Sequence, residues 1–203
     1  GTASWYAIQL AGERNRARQE AATATHVADF LANVFTGSNS RIANGDTTAR
    51  ELLDWGAERI ETDLAIQPEM KAHLLNVISG AYVQYDLFDQ AQPLLERALS
   101  QNTQLYGRNS KETAETLYWM ATLASHRDDN AKSVSLYEEV LRIRESAFGP
   151  RHVGTADALA ALASPTLRGG DTPNAARPAE RALDVYAHTV DANDERVLTT
   201  INV

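Results

Sequence analysis

An all-α solenoid of stacked helical hairpins is the fold this 203-residue sequence predicts. Side chains recur at a fixed interval of 42 residues. Ala72-His-Leu-Leu75, Ala114-Glu-Thr-Leu117 and Ala156-Asp-Ala-Leu159 align without a gap, as do Glu96-Arg-Ala-Leu99, Glu138-Glu-Val-Leu141 and Glu180-Arg-Ala-Leu183. Within each interval the apolar residues follow the three-and-four spacing of amphipathic helices, for example Leu75, Ile78 and Tyr82, then Phe88, Ala91, Leu95, Ala98 and Leu99. Alanine and leucine are common while glycine and proline are few, 11 and 6, which favours helix. Units of this length cannot bury their apolar faces alone and must stack on one another.

Taken in order, residues 1–36 read as one long N-terminal helix, with Ala24, Val27, Leu31, Val34 and Phe35 on one side. Its opening carries Trp5, Tyr6 and Ile8, candidates for an arm that meets a second subunit, a stalk, or a membrane-proximal segment. Thr36-Gly-Ser-Asn-Ser40 ends it, and Asn44-Gly-Asp46 continues the loop. Residues 47–203 form the array: a half repeat at 47–66, repeats at 71–112, 113–154 and 155–196, and a partial repeat at 197–203. The period reaches back to Ala49 and Leu53 and forward to Ile201. Thr48 and Glu51 form a capping box. Asp86-Leu87 and Asp128-Asp129-Asn130 join the helices within hairpins. Gly107 and Gly149 suit left-handed helix termini, with Pro150 behind the second. Thr172-Pro173 reads as an N-cap followed by a first-position proline.

The third repeat breaks local rules. Pro165 and Pro178 fall inside its helices, each at a cost of about 3 kcal/mol, so kinks or ends are expected near Ser164 and Arg177. Gly169-Gly170 loosens its turn, and Ala161, Thr166 and Ala179 replace larger core residues. This repeat should be the least stable. The chain runs out in Val197-Leu-Thr-Thr-Ile-Asn-Val203, where Val197, Leu198 and Ile201 are candidates for contact with another copy.

Composition and motifs limit the chemistry. Nineteen basic and 27 acidic residues give a net charge of −8, and apart from Arg14, Arg16 and Arg18 the basic residues are scattered. Nucleic acid and anionic lipid are therefore disfavoured as partners, and membrane contact is left to the N-terminal segment. There is no cysteine and no apolar run of about 20 residues. No phosphate loop, dinucleotide fingerprint or zinc-protease motif occurs. Of His26, His73, His126, His152 and His188, no two are three or four residues apart, so no helix face offers a histidine pair to a metal. No catalytic residue, metal site or cofactor is expected.

The residues that recur resemble the tetratricopeptide (TPR) pattern of a small residue, a tyrosine, an aromatic and two alanines. The first repeat supplies Ser79, Tyr82, Phe88, Ala91 and Ala98. The second has Ala121, Ala124, Asn130, Ser133 and Val140, and the third Ala163, Thr166, Thr172, Ala175 and Ala182. The period resembles the kinesin-light-chain type. The resemblance implies a right-handed superhelix whose first helices line a concave groove that binds a protein or peptide. It places His73, Asn76, Val77, Gly80 and Gln84 there from the first repeat, Glu115, Tyr118, Trp119, Thr122 and His126 from the second, and Asp157, Ala160, Ala161 and Arg168 from the third. Long-repeat arrays often carry two consecutive asparagines in mid-helix. Here only Asn76 remains, with Tyr118-Trp119 and Ala160-Ala161 at the equivalent positions. Aromatics in such a groove are frequent hot spots. Trp119 alternatively fills the space between repeats, and Met120 belongs to the core.

Ala28-Asp-Phe-Leu31 and the stretch from Thr48-Ala-Arg-Glu-Leu-Leu-Asp54 to Leu87-Phe-Asp-Gln-Ala-Gln-Pro-Leu-Leu95 resemble the region after the membrane helix of bacterial TPR-bearing serine/threonine kinases. That resemblance, over roughly residues 13–160, implies a non-catalytic sensory or scaffolding region outside the cytoplasm or on the cell surface of a bacterium. The alternative is a structural subunit that assembles head-to-tail into a homo-oligomer or filament.

Overall fold

The computed structural model describes Arg14 and residues 48–63, 68–191 and 194–201. The long helix expected over residues 1–36, and with it Trp5, Tyr6 and Ile8, falls outside the described residues apart from Arg14. Eight helices and no strand are described: α1 (Ala49–Asp63), α2 (Pro68–Gln84), α3 (Phe88–Tyr106), α4 (Lys111–His126), α5 (Asn130–Phe148), α6 (Val153–Arg168), α7 (Thr172–Thr189) and α8 (Glu195–Ile201). The chain divides into two compact units, Gly1–Leu74 and Leu75–Val203, the division falling inside α2.

In the first unit, α1 opens with the expected capping box. The Thr48 backbone amide donates to Glu51 Oε2 at 2.9 Å, and the Glu51 amide to Thr48 Oγ1 at 3.3 Å. Ile60 is fully buried, and Arg59 lies 5.0 Å over the Trp55 ring.

In the second unit the 42-residue interval becomes a set of equivalent buried positions. Leu75, Leu117 and Leu159 are core residues, as are Ser79, Ala121 and Ala163, then Ala91, Ser133 and Ala175, and Ala98, Val140 and Ala182. Small residues here let neighbouring helices approach closely. Where serine replaces alanine, its hydroxyl finds a backbone carbonyl: Ser133 donates to Ala121 at 2.9 Å. One cluster joins Ala114, Leu117, Val140, Ile143 and Ala158, with Leu99 packed against it, so four successive helices share a core.

The helix ends repeat as well. In each hairpin turn one residue has a left-handed backbone: Asp86 (φ 59), Asp128 (φ 59) and Gly170 (φ 88). The amide after it bonds back to the last turn, Leu87 to Tyr82 at 2.8 Å, Asp129 to Ala124 at 2.9 Å and Asp171 to Thr166 at 3.2 Å. These are Schellman closures. They correct the expectation for Gly169-Gly170: Gly170 occupies the position where glycine avoids the strain of positive φ, so it suits the turn. Gly107 (φ 86, ψ 163) and Gly149 (φ 87, ψ 167), between hairpins, are not left-handed helical; they sit in an extended positive-φ region open almost only to glycine. Beyond each glycine a threonine hydroxyl caps its carbonyl, Thr113 to Gly107 at 2.8 Å and Thr155 to Gly149 at 2.9 Å.

Two further expectations are corrected. α6 runs through Pro165 to Arg168, and α7 through Pro178 to Thr189, so neither helix ends near Ser164 or Arg177. Pro165 lies in the last turn of α6, and both prolines are buried in the stack, where packing outweighs one missing backbone donor. The N-cap of α7 is Asp171, which accepts from the Asn174 amide at 3.3 Å, and Thr172 is the first helical residue.

Candidate protein-binding face

The candidate face is built by α2, α4 and α6, the first helices of three hairpins. Its centre is Trp119, half-buried, whose ring lies against Gly80 of the preceding hairpin. A Cβ placed on Gly80 falls 2.6 Å from Trp119 Cε2 and 2.8 Å from Cζ2. Glycine in mid-helix is therefore a seat for the indole. Trp119 thus both fills the space between hairpins and reaches the surface, beside Val77, which is 39% exposed one turn before Gly80.

Tyr118 is half-buried and packs against two core clusters. Its ring meets Trp119 and Tyr137 edge-on, with centroids 5.5 Å apart in each pair. Arg144 Cζ stands 4.9 Å from its ring. Burial raises the Tyr118 hydroxyl pKa, Arg144 opposing. Burial also pushes the Tyr137 hydroxyl well above the ordinary tyrosine range. That hydroxyl shares a 2.8 Å hydrogen bond with Thr122, so Thr122 is committed inside the protein.

Arg144 was not singled out in the sequence. It is buried on α5, and it donates to the Gly154 carbonyl at 2.8 Å and to Glu115 Oε2 at 3.0 Å. At the equivalent positions, Asn102 donates to Thr116 Oγ1 at 3.0 Å and Tyr186 donates to Asp157 Oδ1 at 2.8 Å. A ladder of polar side chains from the second helices thus reaches through the stack to hold the first helices. The detectable signal was three hydrogen-bonding residues, Asn102, Arg144 and Tyr186, at one register position in an otherwise apolar row.

The other expected residues separate. Asn76, the remaining asparagine, is 5% exposed and accepts the Thr116 hydroxyl at 2.8 Å. This corrects its placement among partner-contacting residues: a buried amide must be satisfied internally. His73 is exposed in the first unit, and Gln84 is exposed at the end of α2. Glu115 is exposed but held by Arg144, and Asp157 by Tyr186 and Arg196. His126 lies 3.5 Å from Asp86, against the Phe88 ring. Met120, expected in the core, is only half-buried.

At the far end, Val197 packs half-buried against the cluster of Ala156, Leu159, Ala182, Val185 and Tyr186. It is thereby corrected from a free contact residue to a core neighbour. Leu198 and Ile201 are 53% and 63% exposed. Among the described residues, no group of three or more His, Cys, Asp or Glu residues is arranged to hold a metal, and no helix is long and apolar enough to cross a membrane.

These features define an all-α TPR-type solenoid with a mixed aromatic and polar outer row on its first helices. Residues 112–188 match the family model for the tetratricopeptide repeat, a non-catalytic repeat that typically binds proteins or peptides. The crystal structure of BtubC (BKLC) from P. vanneervenii is similar in fold, with a TM-score of 0.67 and 19% identity, covering 85% of this chain and 69% of that one. No curated protein matches the sequence.

Proposed function

We propose that this chain is a protein-interaction scaffold that docks a protein segment on the outer row of α2, α4 and α6, with Trp119 as its anchor. The observation that carries this reading is the indole seated on Gly80 with Val77 exposed beside it. Half-buried tryptophans in rigid surroundings are favoured anchors, costing at least about 2 kcal/mol on truncation. Gln84, Glu115, Tyr118, Thr122 and His126 complete or support the row. A random peptide library displayed on phage tests the idea. The intact chain should enrich peptides that the Trp119→Ala variant binds at least about 30-fold more weakly. Equal enrichment on both would sink it.

The resemblance to TPR-bearing kinases supports a role as the sensory or interaction region of a bacterial signalling protein, outside the cytoplasm or on the cell surface. A kinase domain encoded in the same gene would bear this out; a gene with no such domain would remove it. A second reading, head-to-tail self-assembly, is favoured by the exposure of Leu198 and Ile201, whose equivalents Ala156 and Leu159 are buried. Light scattering on a sizing column should then give a concentration-dependent mass that Ile201→Glu abolishes; a constant monomer mass would refute self-assembly.

A further inference from the structure

Trp119 does not hold its place alone. The indole rests on Gly80, and the Tyr118 ring meets it edge-on with centroids 5.5 Å apart. Tyr118 is bounded in turn by Tyr137, also 5.5 Å away, and by the Arg144 guanidinium, whose Cζ stands 4.9 Å from the ring. A path of contacts therefore runs from Arg144 through Tyr118 to the anchor of the face.

Arg144 itself is closed to a partner, being 9% exposed. Three groups on two first helices fix it. Nη2 donates to Glu115 Oε2 of α4 at 3.0 Å, Nη1 donates to the Gly154 carbonyl at the start of α6 at 2.8 Å, and the Tyr118 ring of α4 lies against the guanidinium. α4 and α6 share few direct contacts, while each packs broadly on α5. A rigid planar fork reaching from α5 to both helices ties them together.

The other residues at this register position do less. Asn102 bonds to Thr116 and to the Glu112 carbonyl, and Tyr186 bonds to Asp157. Those bonds end on polar groups, whereas Arg144 also ends on the aromatic ring that braces the anchor.

From these contacts we infer that Arg144 is the positioning residue of the protein-binding face: without touching the partner, it holds Tyr118 so that Trp119 stays seated on Gly80. This rests on the protein-binding reading above and adds what keeps the anchor ready. A side chain fixed before the partner arrives loses less freedom on binding than one ordered only in the complex. A desolvated guanidinium is attracted by the tyrosine ring face. Lysine, a compact point charge without the planar fork, reproduces that contact and the two bonds poorly.

The test compares Arg144→Met and Arg144→Lys with Tyr186→Phe, a control at the equivalent position that loses only its hydroxyl bond to Asp157. The probe is the peptide that the phage library enriches in a Trp119-dependent way. Calorimetric titration on the whole chain, below the melting transition, should show Arg144→Met binding it about ten-fold more weakly and Arg144→Lys at least about three-fold more weakly. Tyr186→Phe should stay within about two-fold of the parent. The second measurement needs no peptide. With Trp5→Phe and Trp55→Phe in every protein, Trp119 is the sole remaining tryptophan. Its emission should move to the red and its iodide quenching should rise in both Arg144 variants, and neither should change in Tyr186→Phe. A strut that only stabilises would lower the melting temperature and leave affinity and emission alone. If Arg144→Met does not fold, Arg144→Lys decides. Parent-like affinity or parent-like emission in the folded Arg144 variants overturns the inference and leaves the protein-binding reading standing. An equal loss in Tyr186→Phe overturns it as well, since the effect would then be one of general stability. If the library yields no Trp119-dependent peptide, the protein-binding reading falls and this inference with it.

Discussion

Alanine at Gly80 places a methyl group where the Trp119 indole lies. The new Cβ would stand 2.6 Å from Cε2 and 2.8 Å from Cζ2, whereas carbon atoms rest at about 3.5–4.0 Å. The ring must therefore shift by about 1 Å, at an overpacking cost of about 1–3 kcal/mol. Because the indole is half-exposed, it can swing outward, and the lower part of that range applies. The same substitution removes a mid-helix glycine, which by itself stabilises α2 by about 0.5–1 kcal/mol. The two effects oppose, so the net loss should be about 0–2 kcal/mol. Removing the indole first changes the sign. In a Trp119→Ala background only the propensity gain remains, and Gly80→Ala should stabilise by about 0.5–1 kcal/mol. Urea denaturation of the four proteins gives the coupling energy, expected to be at least about 1 kcal/mol. Tryptophan emission of Gly80→Ala should move to the red, and iodide quenching should increase. A coupling below about 0.3 kcal/mol, within ordinary additivity, would show that the indole does not rest on Gly80 and would remove the anchor of the proposed face.

Other expectations follow from the same geometry. Gly170→Ala should cost about 1–2 kcal/mol because Gly170 has φ +88, whereas Asp128→Gly should be neutral or slightly stabilising; equal melting-temperature shifts would contradict the shared turn geometry. Arg144→Met should lose about 2–3 kcal/mol through its bonds to Glu115 and Gly154, and a change under about 0.5 kcal/mol would show that the ladder holds nothing. Burial raises the Tyr137 and Tyr186 hydroxyls above the ordinary value of 10.0. The unfolded chain releases these protons first, so their contribution is intact below pH 10.0 and is lost as pH rises past it. The melting temperature should drop there, less steeply in Tyr137→Phe, and a flat profile would count against this. Native-state hydrogen exchange should show α6 and α7 opening before α4 and α5, since Ala179 stands in the core of α7 where Tyr137 stands in that of α5 and buries far less apolar surface; uniform protection would refute that order.

Much of the architecture was legible because it depends on short-range pattern. The recurrence of Leu75, Leu117 and Leu159 announced stacked hairpins, and Thr48 with Glu51 announced a helix start. The prolines misled because propensity counts the lost hydrogen bond but not the burial that surrounds it. Gly170 misled because its equivalents, Asp86 and Asp128, are not glycines, so the shared left-handed backbone is hidden in the residue names. The candidate site was half legible: the row of first-helix positions followed from the repeat, while the roles within it did not.

What the sequence determined by itself is the period, the helix faces and the positions that must be small. These follow from each residue's own chemistry and from its neighbours three and four places away. Tertiary structure alone decided the use of each position. Asn76 turned inward because Thr116 stands opposite it, Arg144 became a strut because Glu115, Tyr118 and Gly154 surround it, and Trp119 found a seat because Gly80 lacks a side chain. Those pairings join residues 10 to 40 positions apart, and only packing brings them within the few ångströms over which hydrogen bonds and steric contact act.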